Sequence, residues 1–398
     1  MKKLLMATAA TAIMGAGAAS ADGHGAIKLG ILFGFTGPIE TLAAHMAPGA
    51  EAAIAEINAA GGILDGHMVE GVRADTGCID NGLATSNAEK LISADGVSGL
   101  IGGDCSGVTG AVLQNVAIPN GMVMISPSAT SPALSTAEDN GLFFRTAPSD
   151  AREGQVMSDI LMERGFNSVA VTYTNNDYGK GLADAFASAY LAAGGEITIN
   201  AAHEDGKADY SAEVGALASA GGDILIVAGY LDQGGLGIIN ASLDSGAYEQ
   251  FVLPGGMIGD SLPANVGPDL NGSFGQIAGV GGQSAEAMTI IGDANDFDGT
   301  SPYAPESYDA AALFMFAMEA SGSSAPGDYV GKILDVANAP GEKIYPGELA
   351  KGLEIIRAGG DIDYVGGSAV ELIGSGESGG SYRVIEVQDG ANVTVDFR

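Results

Sequence analysis

Basic residues are scarce. The 398-residue chain holds 16 Lys and Arg against 49 Asp and Glu, a formal charge of −33. A surface with that field repels nucleic acid and anionic lipid, so neither is expected as a partner. Disorder is not the explanation, because 46% of the residues are hydrophobic and they recur periodically. The acidic residues follow no calcium-loop pattern and read as a solvated skin. Histidine is rare too: His24, His45, His67 and His203 are the only four, and none is grouped at metal-ligand spacing. Beyond the first 21 residues no apolar run is long enough to span a bilayer. A phosphate loop ending in Gly-Lys-Ser/Thr, a Gly-x-Ser-x-Gly elbow and His-Glu-x-x-His are all missing. The stretch from Gly102 to Gly107 lacks glycines where a nucleotide fingerprint needs them. Ser106 as a nucleophile would need a histidine base, and nothing in the sequence points to one. Pairs such as Asp75 with Asp80, or Asp139 with Asp150, arise by chance among so many carboxylates. No enzyme activity, cofactor or metal is expected.

What is present begins with a leader. Met1-Lys2-Lys3 is a positive start, Leu4 to Ala18 is apolar and Ala-rich, and Ala19-Ser20-Ala21 is a small-x-small cleavage site. Residues 1–21 therefore read as a secretory signal peptide, with a mature chain from Asp22. Without a cysteine at the cleavage site, release as a soluble molecule is expected. Cys78 and Cys105 are the only cysteines. In an exported chain they are expected to oxidise to one another, closing a loop of about 27 residues worth roughly 3–4 kcal/mol. A shared metal is the rival, which the histidine spacing disfavours.

The rest of the chain exceeds what one hydrophobic core usually serves, so two domains are expected. Strand, loop and helix alternate. Strand Ile27 to Phe33 precedes a helix from Leu42 to Ala60, and strands follow at Met68 to Ala74, Val97 to Gly102 and Met122 to Ile125. A second run has strands at Ser168 to Tyr173, Glu196 to Asn200, Ile224 to Ala228 and Phe251 to Leu253. Further on, Ala285 to Ile291 reads as β-like, Ser307 to Ala320 as helix, and Gly374 to Gly380 as a flexible turn. This pattern predicts parallel sheets covered on both faces. Ligands collect at the carboxyl ends of such strands. The candidate loops are therefore Gly34 to Pro38, Gly103 to Gly107, Ser126 to Thr130, Asn175 to Tyr178, Gly229 to Asp232 and Gly255 to Asp260. Three lie in each half, as a ligand held between two lobes requires.

Five motifs in those loops and beside them carry a resemblance. They are Thr36-Gly37-Pro38, the helix end Glu56 to Ile63, Pro127 to Leu134, Phe144 to Asp150, and Asp177-Tyr178-Gly179. Together they resemble the branched-chain amino-acid-type periplasmic substrate-binding proteins of ABC importers, over essentially the whole mature chain. The resemblance implies an α/β fold of two doubly wound parallel-sheet lobes joined by a crossover hinge, the type I periplasmic binding protein. Lobe 1 would hold residues 26–146 and 277–355; lobe 2 would hold 147–276 and 356–398. It implies the Cys78–Cys105 disulfide independently of the redox argument. It also implies a ligand carboxylate held by Ser106, with Gly107 beside it and Ser128, Ala129 and Thr130 assisting. Hydroxyls and backbone amides at helix N-termini make a good anion cradle. Tyr178 and Tyr230 would form the opposing wall. Where relatives place a carboxylate for the ligand ammonium, the nearest acids here are Asp260 and Asp232. Phe35, Leu42 and Met257 are candidate walls for a ligand side chain. The implied function is periplasmic capture of a small amino acid, branched-chain or apolar, by a monomer that closes over it and docks on the permease membrane subunits. The alternatives are an aromatic or keto acid, an amide or urea-like solute, or ligand sensing.

Overall fold

The computed structural model describes residues 25–374 and 376–398, so the leader assigned to residues 1–21 lies outside them. Among the described residues no helix is long and apolar enough to cross a membrane.

The apolar runs become strands buried in the middle of two sheets. In the first, β1 (Ile27–Phe33), β2 (Val69–Asp75), β3 (Leu100–Gly102), β4 (Met124–Ser126) and β5 (Phe143–Pro148) pair in parallel. In the second, β6 (Ser168–Thr174), β7 (Glu196–His203), β8 (Ile224–Ala228), β9 (Phe251–Leu253) and β10 (Phe274–Ala278) do the same. Every residue of β8 is buried, as a strand covered by helices on both faces must be.

The later chain is shared between the lobes. β11 (Glu342–Ile344) and β12 (Ile362–Tyr364) make a separate parallel ribbon. β13 (Leu372–Ile373) and β14 (Glu377–Ser378) extend the first sheet, and β15 (Tyr382–Gln388) and β16 (Ala391–Phe397) extend the second. The orders are β13-β14-β5-β4-β3-β1-β2 and β16-β15-β10-β9-β8-β6-β7. Both sheets are mixed rather than wholly parallel, because the pairs β13–β14, β10–β15 and β15–β16 are antiparallel. The chain passes between sheets after β5, after β10 and between β14 and β15, which gives a hinge of three crossings.

Three expectations are corrected. Ala285 to Ile291 lies within the helix Gly282–Ala294, whose Ser284, Met288 and Gly292 repeat every four residues on one buried face. The stretch from Gly374 to Gly380 is not simply a turn: Glu377 and Ser378 pair with β5, and Glu377 Oε2 meets the buried Arg145 Nη2 at 2.5 Å. Finally, the last return to the second sheet comes at Tyr382, not at residue 356. The reason is Asp309 on the buried helix Ala304–Ser321, which holds the preceding segment against the first lobe. Its carboxylate accepts from Tyr364 Oη (2.8 Å), Gly367 N (2.7 Å), Ser368 N (2.8 Å) and Ser368 Oγ (2.6 Å).

The same helix buries Glu306, one of whose carboxyl oxygens has no hydrogen-bond partner. Burial, with Asp309 nearby, pushes the Glu306 carboxyl up to about 8, and burial pushes Asp309 up to about 6. A carboxyl whose pKa is raised by folding holds its proton more tightly in the folded protein. The Glu306 contribution is thus complete below its ordinary 4.5 and is lost as pH climbs through about 8. The melting temperature is expected to fall between about pH 5 and pH 8. Glu306→Gln is expected to flatten that slope, as measured by calorimetric scans across the range.

Candidate functional site

Parallel pairing delivers the carboxyl ends of β3, β4, β8 and β9 to one crevice between the lobes, and a partly open cavity lies there. From the first lobe it is lined by Asp104, Cys105 and Ser106 after β3, by Ser128 and Thr130 after β4, and by Ile39 and Leu42 at the start of the helix Glu40–Ala59. The second lobe supplies Tyr178, Tyr230 and Gly256, and Tyr303 comes from the segment leading out of the hinge. The cavity's volume is about 20 Å³, room for about one water molecule.

The polar groups around it are held by definite partners. Cys78 and Cys105 are joined, with Cα atoms 5.2 Å apart, so the start of the helix Ser106–Val112 is tied to the loop after β2. Ser106 Oγ accepts from Ser131 N at 3.1 Å, which leaves its own proton to donate. Ser128 Oγ donates to the Asp104 carbonyl at 3.0 Å. Ala129 sits just behind the cavity; its N–H donates to Ser126 Oγ (3.0 Å) and its carbonyl accepts from Arg145 Nη1 (3.0 Å). Asp104 is buried and accepts from Gly34 N and from Thr76 Oγ1 (2.9 Å), with burial raising its pKa.

Tyr178 and Tyr230 stack at 5.2 Å between centroids and 20° between planes. Burial first, then nearby carboxylates, raise both phenols well above their ordinary range, so both keep their protons. Tyr178 Oη accepts from Gly256 N at 3.0 Å. That approach requires glycine: a Cβ on Gly256 would lie 2.7 Å from Tyr178 Oη and 2.5 Å from the Gly229 carbonyl.

Of the residues singled out from sequence, Ser106, Ser128, Thr130, Tyr178, Tyr230 and Leu42 meet around this cavity. Five others lie elsewhere. Gly107 faces a separate surface cleft with Asp177, Glu204 and Asp205. Phe35 packs on Phe33 and under Arg73, away from the cavity lining. Met257 is fully buried beneath Gly235. Asp260 is exposed and borders a neighbouring cavity with His45, Asp298 and Arg383. Asp232 clasps the lobes together instead, accepting from Thr41 N (3.1 Å), Thr41 Oγ1 (2.7 Å) and Ser261 Oγ (2.8 Å). Sequence reasoning missed Tyr303, which sits in a stretch read without landmarks. Its φ of 62° is left-handed, a conformation no pattern announces for tyrosine.

Comparison with known proteins bears on this arrangement. Residues 26–333 match the model of the periplasmic binding protein family. The chain belongs to that family. A non-catalytic, solute-binding role follows from membership. Leu/Ile/Val-binding protein homolog 1 of Brucella melitensis is 32% identical over 336 residues, covering 82% of this chain and 86% of that protein. Homolog 3 from the same organism is 36% identical over 259 residues, but the match spans only 64% of this chain and 66% of its own length. The fold is also that of the branched-chain amino acid transporter substrate-binding protein LivJ of Streptococcus pneumoniae, solved in complex with isoleucine. The TM-score is 0.77 at 22% identity, covering 94% of this chain and 99% of that one.

Two outcomes are expected of this geometry. Asp232→Ala removes the two hydrogen bonds from Thr41 that exist only when the lobes meet. It is expected to weaken ligand binding by about tenfold or more and to enlarge the radius of gyration in small-angle scattering. Cys78→Ser with Cys105→Ser is expected to lower stability by about 3 kcal/mol in denaturant titrations.

Proposed function

We propose that the chain captures a small α-amino acid, branched-chain or apolar by preference, in the periplasm and delivers it to the membrane subunits of an ABC importer. The observation that carries this reading is the set of side chains lining the crevice between the lobes. It combines hydroxyl groups from Ser106, Thr130, Tyr178 and Tyr230 with the aliphatic side chains of Ile39 and Leu42. No lysine or arginine lines it, so a ligand carboxylate is met by neutral donors, Ser106 and Thr130 first. The named binding preference of the Brucella relatives and the isoleucine bound to the LivJ neighbour support the same class.

In this reading the ligand settles on the first lobe and the second closes over it. The clasp through Asp232 adds to the closed arrangement, and the closed form is what the permease meets. A thermal-shift panel on refolded, ligand-stripped protein tests it. Amino acids, keto and aromatic acids, amides, urea and polyamines are compared side by side. A ligand at a hundred times its Kd is expected to stabilise by about 2.7 kcal/mol, and shifts are expected only from amino acids, aliphatic ones most. A shift from unaminated carboxylates, amides or urea alone removes this substrate assignment.

A further inference from the structure

Behind the cavity lies a buried pair of carboxyl groups. Asp150 and Glu153 occupy the first turn of the helix Asp150–Glu163, the element that follows the first crossing between lobes. Their exposures are 0% and 2%. Neither Asp150 oxygen has a hydrogen-bond partner; the Thr130 hydroxyl and the Glu153 carboxyl lie beside it. Glu153 Oε1 accepts from Gly255 N (2.8 Å) and Gln276 Nε2 (2.9 Å).

One buried cation faces the pair: Arg145 lowers the Asp150 pKa, and its Nε has no hydrogen-bond partner. Arg145 spends its Nη atoms on the carbonyls of Ala129 and Ser131, on Ser135 Oγ and on Glu377. Arg152 is exposed. Tyr178, Tyr303 and Tyr382 are neutral phenols whose own ionisation the pair suppresses, after burial. Two carboxyl groups in a dry interior, faced by a single guanidinium largely committed to other acceptors, are costly to bury, and such arrangements gather at functional sites.

The pair adjoins the cavity through three of its lining residues. Thr130 sits against Asp150, while Tyr178 and Tyr303 lie within the field of both acids. The intervening loop is Gly255–Gly256. A Cβ on Gly255 would come within 2.6 Å of Tyr303 Oη and 3.6 Å of Glu153 Oε2. A side chain on Gly255 would crowd Tyr303, so on the second-lobe side a charge would come from behind the loop, while on the first-lobe side Asp104 already lines the cavity.

We propose that Asp150 and Glu153, with Glu153 foremost, are the charge-selecting groups of the cavity, making it prefer a ligand that carries a protonated amino group. The proposal rests on the amino-acid reading above and names the partner of the ammonium end, in place of Asp260. Burial raises both carboxyls, with their mutual proximity adding for Asp150 and Arg145 opposing it, which favours a proton held on the empty pair. A ligand ammonium replaces that proton as the compensating charge and expels it to solvent.

Isothermal titration calorimetry on the ligand-stripped mature chain decides the matter. The probes are L-leucine, its deaminated counterpart 4-methyl-2-oxopentanoate, and 3-methylbutylamine. In wild type, the leucine enthalpy is expected to vary with the ionisation enthalpy of the buffer, reporting proton release. Glu153→Gln keeps the acceptor for Gly255 N, and a normal melting curve would show that it folds. It is expected to weaken leucine about 100-fold, to abolish the proton release and to leave the keto acid within about threefold. Asp150→Asn serves as the second variant and is expected to act in the same direction.

If leucine binds and both variants hold it within threefold with unchanged proton release, the inference falls while the amino-acid reading stands. Loss of leucine in Asp260→Asn rather than Glu153→Gln also overturns it. If the amine binds and depends on Glu153 while leucine does not bind, the inference stands and the reading falls. A wild-type preference for the keto acid sinks both.

Discussion

Parallel strand pairing is the constraint from which the site follows. Every strand in a parallel run ends on the same edge of its sheet, and the loops leaving that edge carry unpaired backbone N–H groups. Two such sheets joined by short crossings turn those edges toward one another. Ser106, Thr130, Tyr178, Tyr230 and Gly256 come from five loops spread over 151 positions, yet all line one cavity. The disulfide and the Tyr178–Gly256 hydrogen bond then fix the loop ends, so each lobe presents a rigid half-site.

How much of this is legible in the sequence depends on how local the signal is. β8 is an uninterrupted apolar run and β1 is broken only by Lys28 and Gly30, and their bounds are readable to the residue. The six strand-end loops follow from the strands, and residues from five of them line the cavity. The division of the late chain is not legible. What holds residues 364–368 to the first lobe is one buried carboxylate on a helix more than fifty residues earlier, and no periodicity encodes that contact. The helix Gly282–Ala294 is easily misread because Ala285 to Ile291 is a short apolar run, where helix and strand patterns overlap.

The acidic residues show the same limit from the other side. Among 49 carboxylates, the family resemblance points to Asp260 and Asp232, the acids nearest the last strand-end loop. Three-dimensional packing separates the acids differently. Asp260 is solvated, Asp232 clasps the lobes, Asp309 organises the late chain, and Asp150 with Glu153 is dry. Burial and hydrogen-bond partners, neither visible in a single sequence, are what distinguish an acidic skin from an acidic site.

The clasp at Asp232 has a consequence for the medium in which the protein works. Its donors, Thr41 and Ser261, are uncharged, so the contact is not an ion pair and dissolved salt does little to weaken it. The chain carries a net charge of −33, and the repulsion between its two lobes is screened by that same salt. Brine therefore favours the shut form of this molecule, where a flytrap latched by opposite charges would be loosened by it.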